Sequence, residues 1–66
     1  MHDLTDSQRA ILAFIADEGG YSASVGDLRT AEECVDRQWL IHEGEAGYGL
    51  TVDGAYLARH LARSPN

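Results

Sequence analysis

Lysine is absent from this chain of 66 residues, and all five of its cations are arginine. The plain reading of that absence is a GC-rich coding bias, and it leaves few positive charges to meet a polyanion. Only one cysteine is present, Cys34, which excludes a disulfide within the chain. A domain of this size buries only about 60% of the surface it exposes when unfolded. Without a covalent staple its stability must rest on its core or on a partner. No apolar run approaches the roughly 18 residues that cross a bilayer, and no secretory leader is expected. The expectation is a cytoplasmic protein, complete from Met1 as a small reading frame, with no membrane contact.

Catalytic and ligand-binding signatures are equally sparse. His2, His42 and His60 share no metal-ligand spacing, and alternation along a strand sets His42 and Glu43 on opposite faces. Pairing Cys34 with His42 or His60 would require a low-pKa thiol, yet the residues around Cys34 are acids that raise it. A buried, apolar cysteine is expected instead. Gly44, Gly47 and Gly49 are not followed by the strand-to-helix turn and Lys-Ser/Thr of a phosphate loop, so they read as hairpin glycines. No enzyme activity, metal or cofactor is expected.

What is present is a series of local start and stop signals in an ordinary globular composition, 44% hydrophobic and 24% charged. Thr5-Asp6-Ser7-Gln8 is a capping box, and Ile11, Leu12, Phe14 and Ile15 follow as an apolar stripe at helical spacing. Gly19-Gly20 is a left-handed stop, which predicts a helix from about Asp6 to Glu18. Tyr21 to Ala23 reads as a short strand. Ser24-Val25-Gly26-Asp27 resembles a second cap leading into a stub of helix or a 3₁₀ turn through Leu28. Thr30-Ala31-Glu32-Glu33 is a full capping box, predicting a helix to about Trp39 with Ala31, Cys34, Val35 and Trp39 on one face. Leu40–Glu43 and Tyr48–Thr51 flank a Gly-bearing loop and predict a β-hairpin. Thr51 then caps a last helix whose inner face is Val52, Tyr56, Leu57, His60 and Leu61, with Ser64-Pro65-Asn66 ending it. Trp39 and Tyr48 read as core or sheet-packing residues, whereas Tyr21 and Tyr56 suit an interface.

The segments Asp36-Arg37-Gln38-Trp39-Leu40-Ile41 and Tyr48-Gly49-Leu50-Thr51-Val52-Asp53-Gly54 resemble those of winged helix-turn-helix domains. In that family a third helix runs into a strand, and the wing returns through a Y-x-L-T-x-x-G segment into the last helix. The resemblance spans roughly Thr5 to Leu61 and is specific only in the C-terminal half. It implies an α+β winged helix: about three helices, a short β-hairpin wing and a minor first strand, in one domain over residues 1–66. Leu40, Ile41 and Leu50 would bury the hairpin, and Gly54 would let the last helix pass close to the sheet. The stretch from Gly20 to Thr30 is too short for a full second helix and turn.

Charge departs from the family pattern. Between Asp17 and Asp53 nine carboxylates face two arginines, a net of −7, in a chain whose net charge is −6. A duplex reader needs cations on its reading helix and wing, because affinity for DNA comes largely from neutralising phosphates. Here those positions hold Asp27, Glu32, Glu33, Asp36, Glu43 and Glu45, the expected partner-binding residues. The first expectation is therefore a protein-binding module that mimics nucleic acid and occupies a basic nucleic-acid-binding surface of another protein. By size and charge it would join the DNA mimics, such as phage anti-CRISPR or anti-restriction inhibitors. Two alternatives remain open. One is a dimeric DNA-binding regulator using Arg29, Arg37 and Gln38, with Arg59 and Arg63 on phosphates. The other is an adaptor docking through Trp39 or the tyrosines. Either a monomer or a homodimer fits the sequence.

Overall fold

The computed structural model describes residues 4–44 and 47–62. It is an α+β fold of three helices and a three-stranded antiparallel sheet. The elements in order are α1 (Asp6–Asp17), β1 (Tyr21–Ser22), α2 (Leu28–Asp36), β2 (Leu40–His42), β3 (Tyr48–Leu50) and α3 (Val52–Leu57). A π-helical turn, Ala58–Ala62, continues α3.

Helix α1 starts as its sequence dictates. The Gln8 amide donates to Thr5 Oγ1 (3.0 Å), and Gln8 Oε1 accepts from the Thr5 amide (3.1 Å). The same Gln8 is only 5% exposed and lies on the inner face with Ile11, Leu12 and Ile15. Phe14, expected on that face, is 47% exposed, because the buried set follows i, i+3, i+4, i+7 from Gln8 and leaves Phe14 at its edge. Gly19 and Gly20 take the positive φ of the expected stop, 92° and 96°.

The stub helix between β1 and α2 does not form. Residues 23–27 are non-helical, with Ser22 Oγ donating to the Ser24 carbonyl at 2.8 Å. Asp27 caps α2 instead: its carboxylate accepts from the Thr30 amide (3.1 Å) and from Thr30 Oγ1 (2.6 Å). The helix therefore begins at Leu28, before the expected Thr30 start. Thr30 turns its hydroxyl back to Asp27 from a buried position and cannot serve as a cap itself. At the other end α2 stops at Asp36, because Gln38 adopts φ 67° and turns the chain, so that Trp39 is buried outside the helix.

In the sheet, β3 lies between β1 and β2, with Tyr21 opposite Gly49 and Ile41 opposite Gly49 on the other side. Leu40 and Tyr48 face the core, whereas Ile41, expected to help bury the hairpin, is 51% exposed. Pairing explains this: Ile41 and Leu40 are adjacent on one strand and must point to opposite faces.

Thr51 caps α3, accepting from the Gly54 amide at 3.0 Å. The inner face of α3 and its continuation is Gly54, Leu57 and Ala58. Val52, Tyr56 and His60, expected there, are exposed. The cause is close approach: a Cβ on Gly54 would run into the Trp39 carbonyl, whose carbon it would meet at 2.8 Å. Small residues thus set the contact, and the larger neighbours rotate outward. The side chain of Leu61 and residues Ser64, Pro65 and Asn66 lie outside the described residues. The core gathers Ile11, Leu12, Ile15, Val25, Ala31, Cys34, Trp39, Leu40, Tyr48, Leu57 and Ala58.

Candidate functional site: the outer face of helix α2 and the hairpin

Helix α2 turns Thr30, Ala31 and Cys34 inward, which by helical spacing sends Arg29, Glu32, Glu33 and Asp36 outward. The acids on this face are not equivalent. Asp27 is committed to its cap, and its carboxyl is held below the usual value by the hydrogen bond from the Thr30 hydroxyl and then by that from the Thr30 amide. Glu33 Oε1 accepts from Gln8 Nε2 at 3.2 Å, which ties the middle of α2 to the first turn of α1.

Glu32 faces the hairpin. Its Oε2 accepts from the Tyr48 hydroxyl at 2.8 Å and lies 3.6 Å from His42 Nδ1. The rings of His42 and Tyr48 stack with centroids 4.5 Å apart and planes 9° from parallel. The Tyr48 phenol is pushed above its ordinary pKa, first because it donates to the Glu32 carboxylate and then by burial. An open groove of about 580 Å3 runs here between α2 and the hairpin, lined by Val25, Leu28, Glu32, His42, Gly47 and Tyr48.

Asp36 and Glu43 are exposed and enter none of these bonds. Asp36 sits in the last turn of α2, where the helix dipole is negative and an acid is unfavourable by a few tenths of a kcal/mol. The Glu43 carboxylate lies over the outer face of the sheet, its Oε2 3.8 Å from where a Cβ of Gly49 would stand. Glu45 lies outside the described residues. Among the described residues no arginine comes within ion-pair distance of Asp27, Glu32, Glu33, Asp36 or Glu43.

The residues expected for DNA reading are dispersed. Arg29 remains exposed on α2 beside the acids. Arg37 closes the helix, and its guanidinium lies 4.5 Å from the Trp39 ring centroid. Gln38 is not on the helix at all: it occupies the turn, and its carbonyl accepts from Thr51 Oγ1 at 2.6 Å. Arg59 is exposed on the π-helical turn, lining a cleft with Leu50 and Gly20, and Arg63 lies outside the described residues.

Cys34 is wholly buried, and its thiol is pushed up to about 11 by burial and by the Glu33 charge. It is held as a protonated core side chain. Among the described residues no three of His, Cys, Asp and Glu converge as a metal site, and no helix is long and apolar enough to cross a membrane.

Sequence spacing alone missed Gln8, His42 and Tyr48 as partners of the acids. Each meets α2 from a distant part of the chain, and no local signal announces it. Compared with known proteins, the chain matches no family model, no curated protein and no solved structure.

Proposed function

We propose that this chain is a winged-helix-like protein-binding module whose acidic α2–hairpin face docks on a basic, nucleic-acid-binding surface of another protein. Support for the winged-helix part comes from the sheet order β1-β3-β2, with the hairpin following α2 and leading through Thr51 into α3. Only one helix stands between β1 and the hairpin, so the helix-turn-helix is reduced.

The observation that carries the functional part is the state of Asp36 and Glu43. Glu32, Glu33 and Asp27 each serve the fold through a hydrogen bond. Asp36 and Glu43 serve no such contact, and Asp36 opposes the helix dipole. Stability does not account for acids in these places, whereas a partner's cations do. Charge complementarity of this kind steers encounter and sets orientation. In its most concrete form the module is an inhibitor that stands in for a phosphate track.

The test uses Asp36→Lys with Glu43→Lys, because reversing Glu32 or Glu33 would also disturb Tyr48 or Gln8. The wild-type chain should capture a basic protein from nuclease-treated lysate of its native host, and duplex DNA should release that protein. The double variant should bind at least roughly tenfold more weakly at an unchanged melting temperature. Salt-sensitive retention of random duplex DNA by the chain itself would overturn the reading in favour of a DNA-binding regulator acting through Arg29, Arg37 and Arg59.

A further inference from the structure

The groove between α2 and the hairpin takes its walls from three parts of the chain. Leu28 and Glu32 come from α2, His42 and Tyr48 from β2 and β3, and Val25 from the loop after β1. Gly47 brings that loop in. A Cβ on Gly47 would lie 2.6 Å from the Ala23 Cα, so residues 22–23 can cross the hairpin in direct contact with it.

The chemistry of the groove is one-sided. Glu32 is the one carboxylate among its lining residues, and no arginine joins it. The bond from Tyr48 and the approach of His42 both use Oε2. Oε1 takes part in neither, and the Glu32 side chain is 54% exposed. The fold thus engages one oxygen and leaves the other to the groove. Beside it, Tyr48 covers one face of the His42 ring, and the His42 side chain is still 44% exposed. Leu28 adds an apolar wall that is itself 60% exposed.

This combination selects among cations. A metal ion is not served, since among the described residues no three of His, Cys, Asp and Glu converge. An ammonium group is a compact, strongly hydrated charge and gains little from a flat ring. A guanidinium is planar and weakly hydrated, stacks on aromatic faces and presents its N–H donors to a carboxylate in a fork. The aliphatic stem behind it suits Leu28 and Val25.

We propose that the groove receives one arginine side chain of the partner protein. Its guanidinium stacks on the open face of His42 and donates to Glu32 Oε1, while its stem lies along Leu28 and Val25. This inference rests on the reading of a basic protein partner but uses neither Asp36 nor Glu43.

The experiment titrates the isotopically labelled chain with arginine blocked at both ends (N-acetyl, N-methylamide), followed by amide NMR at physiological salt. The expected result is saturable shifts at Glu32, His42, Gly47 and Tyr48, with the equally blocked lysine at least about fivefold weaker. Glu32→Gln keeps an acceptor for the Tyr48 hydroxyl but removes the charge. Leu28→Arg sets a guanidinium of the chain itself one helical turn from Glu32 and fills the groove. Each should weaken binding by about tenfold or more. Thermal melts check that both remain folded, and either variant suffices if the other does not. Asp36→Lys with Glu43→Lys should bind the blocked arginine within about threefold of wild type, because exposed charges at a distance are screened. The proposal is overturned by the absence of saturation at roughly 50 mM, or by equal binding of the lysine compound. Shifts spread over all the acids, or loss of binding in the Asp36 and Glu43 variant, overturn it equally, since a general field would then do the binding. Capture of the host protein separates the two readings. If Leu28→Arg loses capture while the Asp36 and Glu43 variant keeps it, the groove stands and the reading carried by Asp36 and Glu43 falls. If the Asp36 and Glu43 variant loses capture while Leu28→Arg keeps it, the groove falls alone.

Discussion

Helices α1 and α2 close with the same set of hydrogen bonds, made from very different residues. At the end of α1 the Gly19 amide reaches the Ala16 carbonyl (3.0 Å) and the Gly20 amide reaches Ile15 (2.9 Å). At the end of α2 the Gln38 amide reaches Val35 (2.9 Å) and the Trp39 amide reaches Cys34 (2.9 Å). Both are Schellman closures, each with a left-handed residue just past the helix. Both then hand a carbonyl to the far end of the hairpin: Gly20 to the Leu50 amide (2.9 Å) and Trp39 to the Thr51 amide (3.1 Å). The first closure uses glycine, which takes positive φ at little steric cost. The second imposes φ 67° on glutamine and offsets that strain with tertiary contacts. Trp39 buries its ring, Arg37 lies across it, and Thr51 Oγ1 grips the Gln38 carbonyl. Backbone freedom makes one end; packing makes the other.

That difference can be broken most severely at Trp39. Truncating a buried tryptophan to alanine costs about 3–5 kcal/mol, and a core of this size rarely supplies more than about 3–5 kcal/mol in total. Trp39→Ala should therefore lack a cooperative thermal transition by circular dichroism. A variant melting within a few degrees of wild type would show that the α2 closure does not depend on the ring. A smaller effect is expected at the glycine end. A Cβ on Gly19 meets nothing within 4 Å, so Gly19→Ala is charged only for its φ of 92°, about 1–2 kcal/mol. That loss should lower the midpoint of a urea titration without changing its slope. The smallest effect has the opposite sign. Gln38→Gly relieves the left-handed strain but adds chain entropy to the unfolded state. The net gain should be on the order of 0.5 kcal/mol, seen as a melting temperature about 2–4 °C higher.

The same contrast separates what could be read from the sequence from what could not. Thr5-x-x-Gln8, Gly19-Gly20, the hairpin and the Thr51 cap are local signals, each satisfied within a few residues, and all four appear where expected. The start of α2 was misread because two cap signals overlap. Asp27 and Thr30 each stand three residues before a plausible partner, and the sequence does not show that Thr30 spends its hydroxyl on Asp27. The end of α2 was misread because Trp39 follows Val35 at helical spacing, while the turn between them is made by a residue that gives no stop signal. The face of α3 was misread because Gly54 and Ala58 look featureless, yet the approach to Trp39 requires small residues there.

The acidic site divides in the same way. The positions of its carboxylates were legible; their duties were not. Gln8 lies 25 residues from Glu33, and Tyr48 lies 16 from Glu32. Only the folded chain separates the acids bonded within the fold from those that enter none of these bonds. It also shows β2 at the edge of the sheet, since pairing order in a sheet is not written in any single strand.

Cys34 carries one more practical consequence. Enclosed in the core and keeping its proton until about pH 11, this thiol is shielded from air and from alkylating reagents while the fold is intact. Covalent twins should not accumulate during storage. Maleimide labelling should proceed only as fast as the helices part, so the molecule carries an internal clock for its own opening.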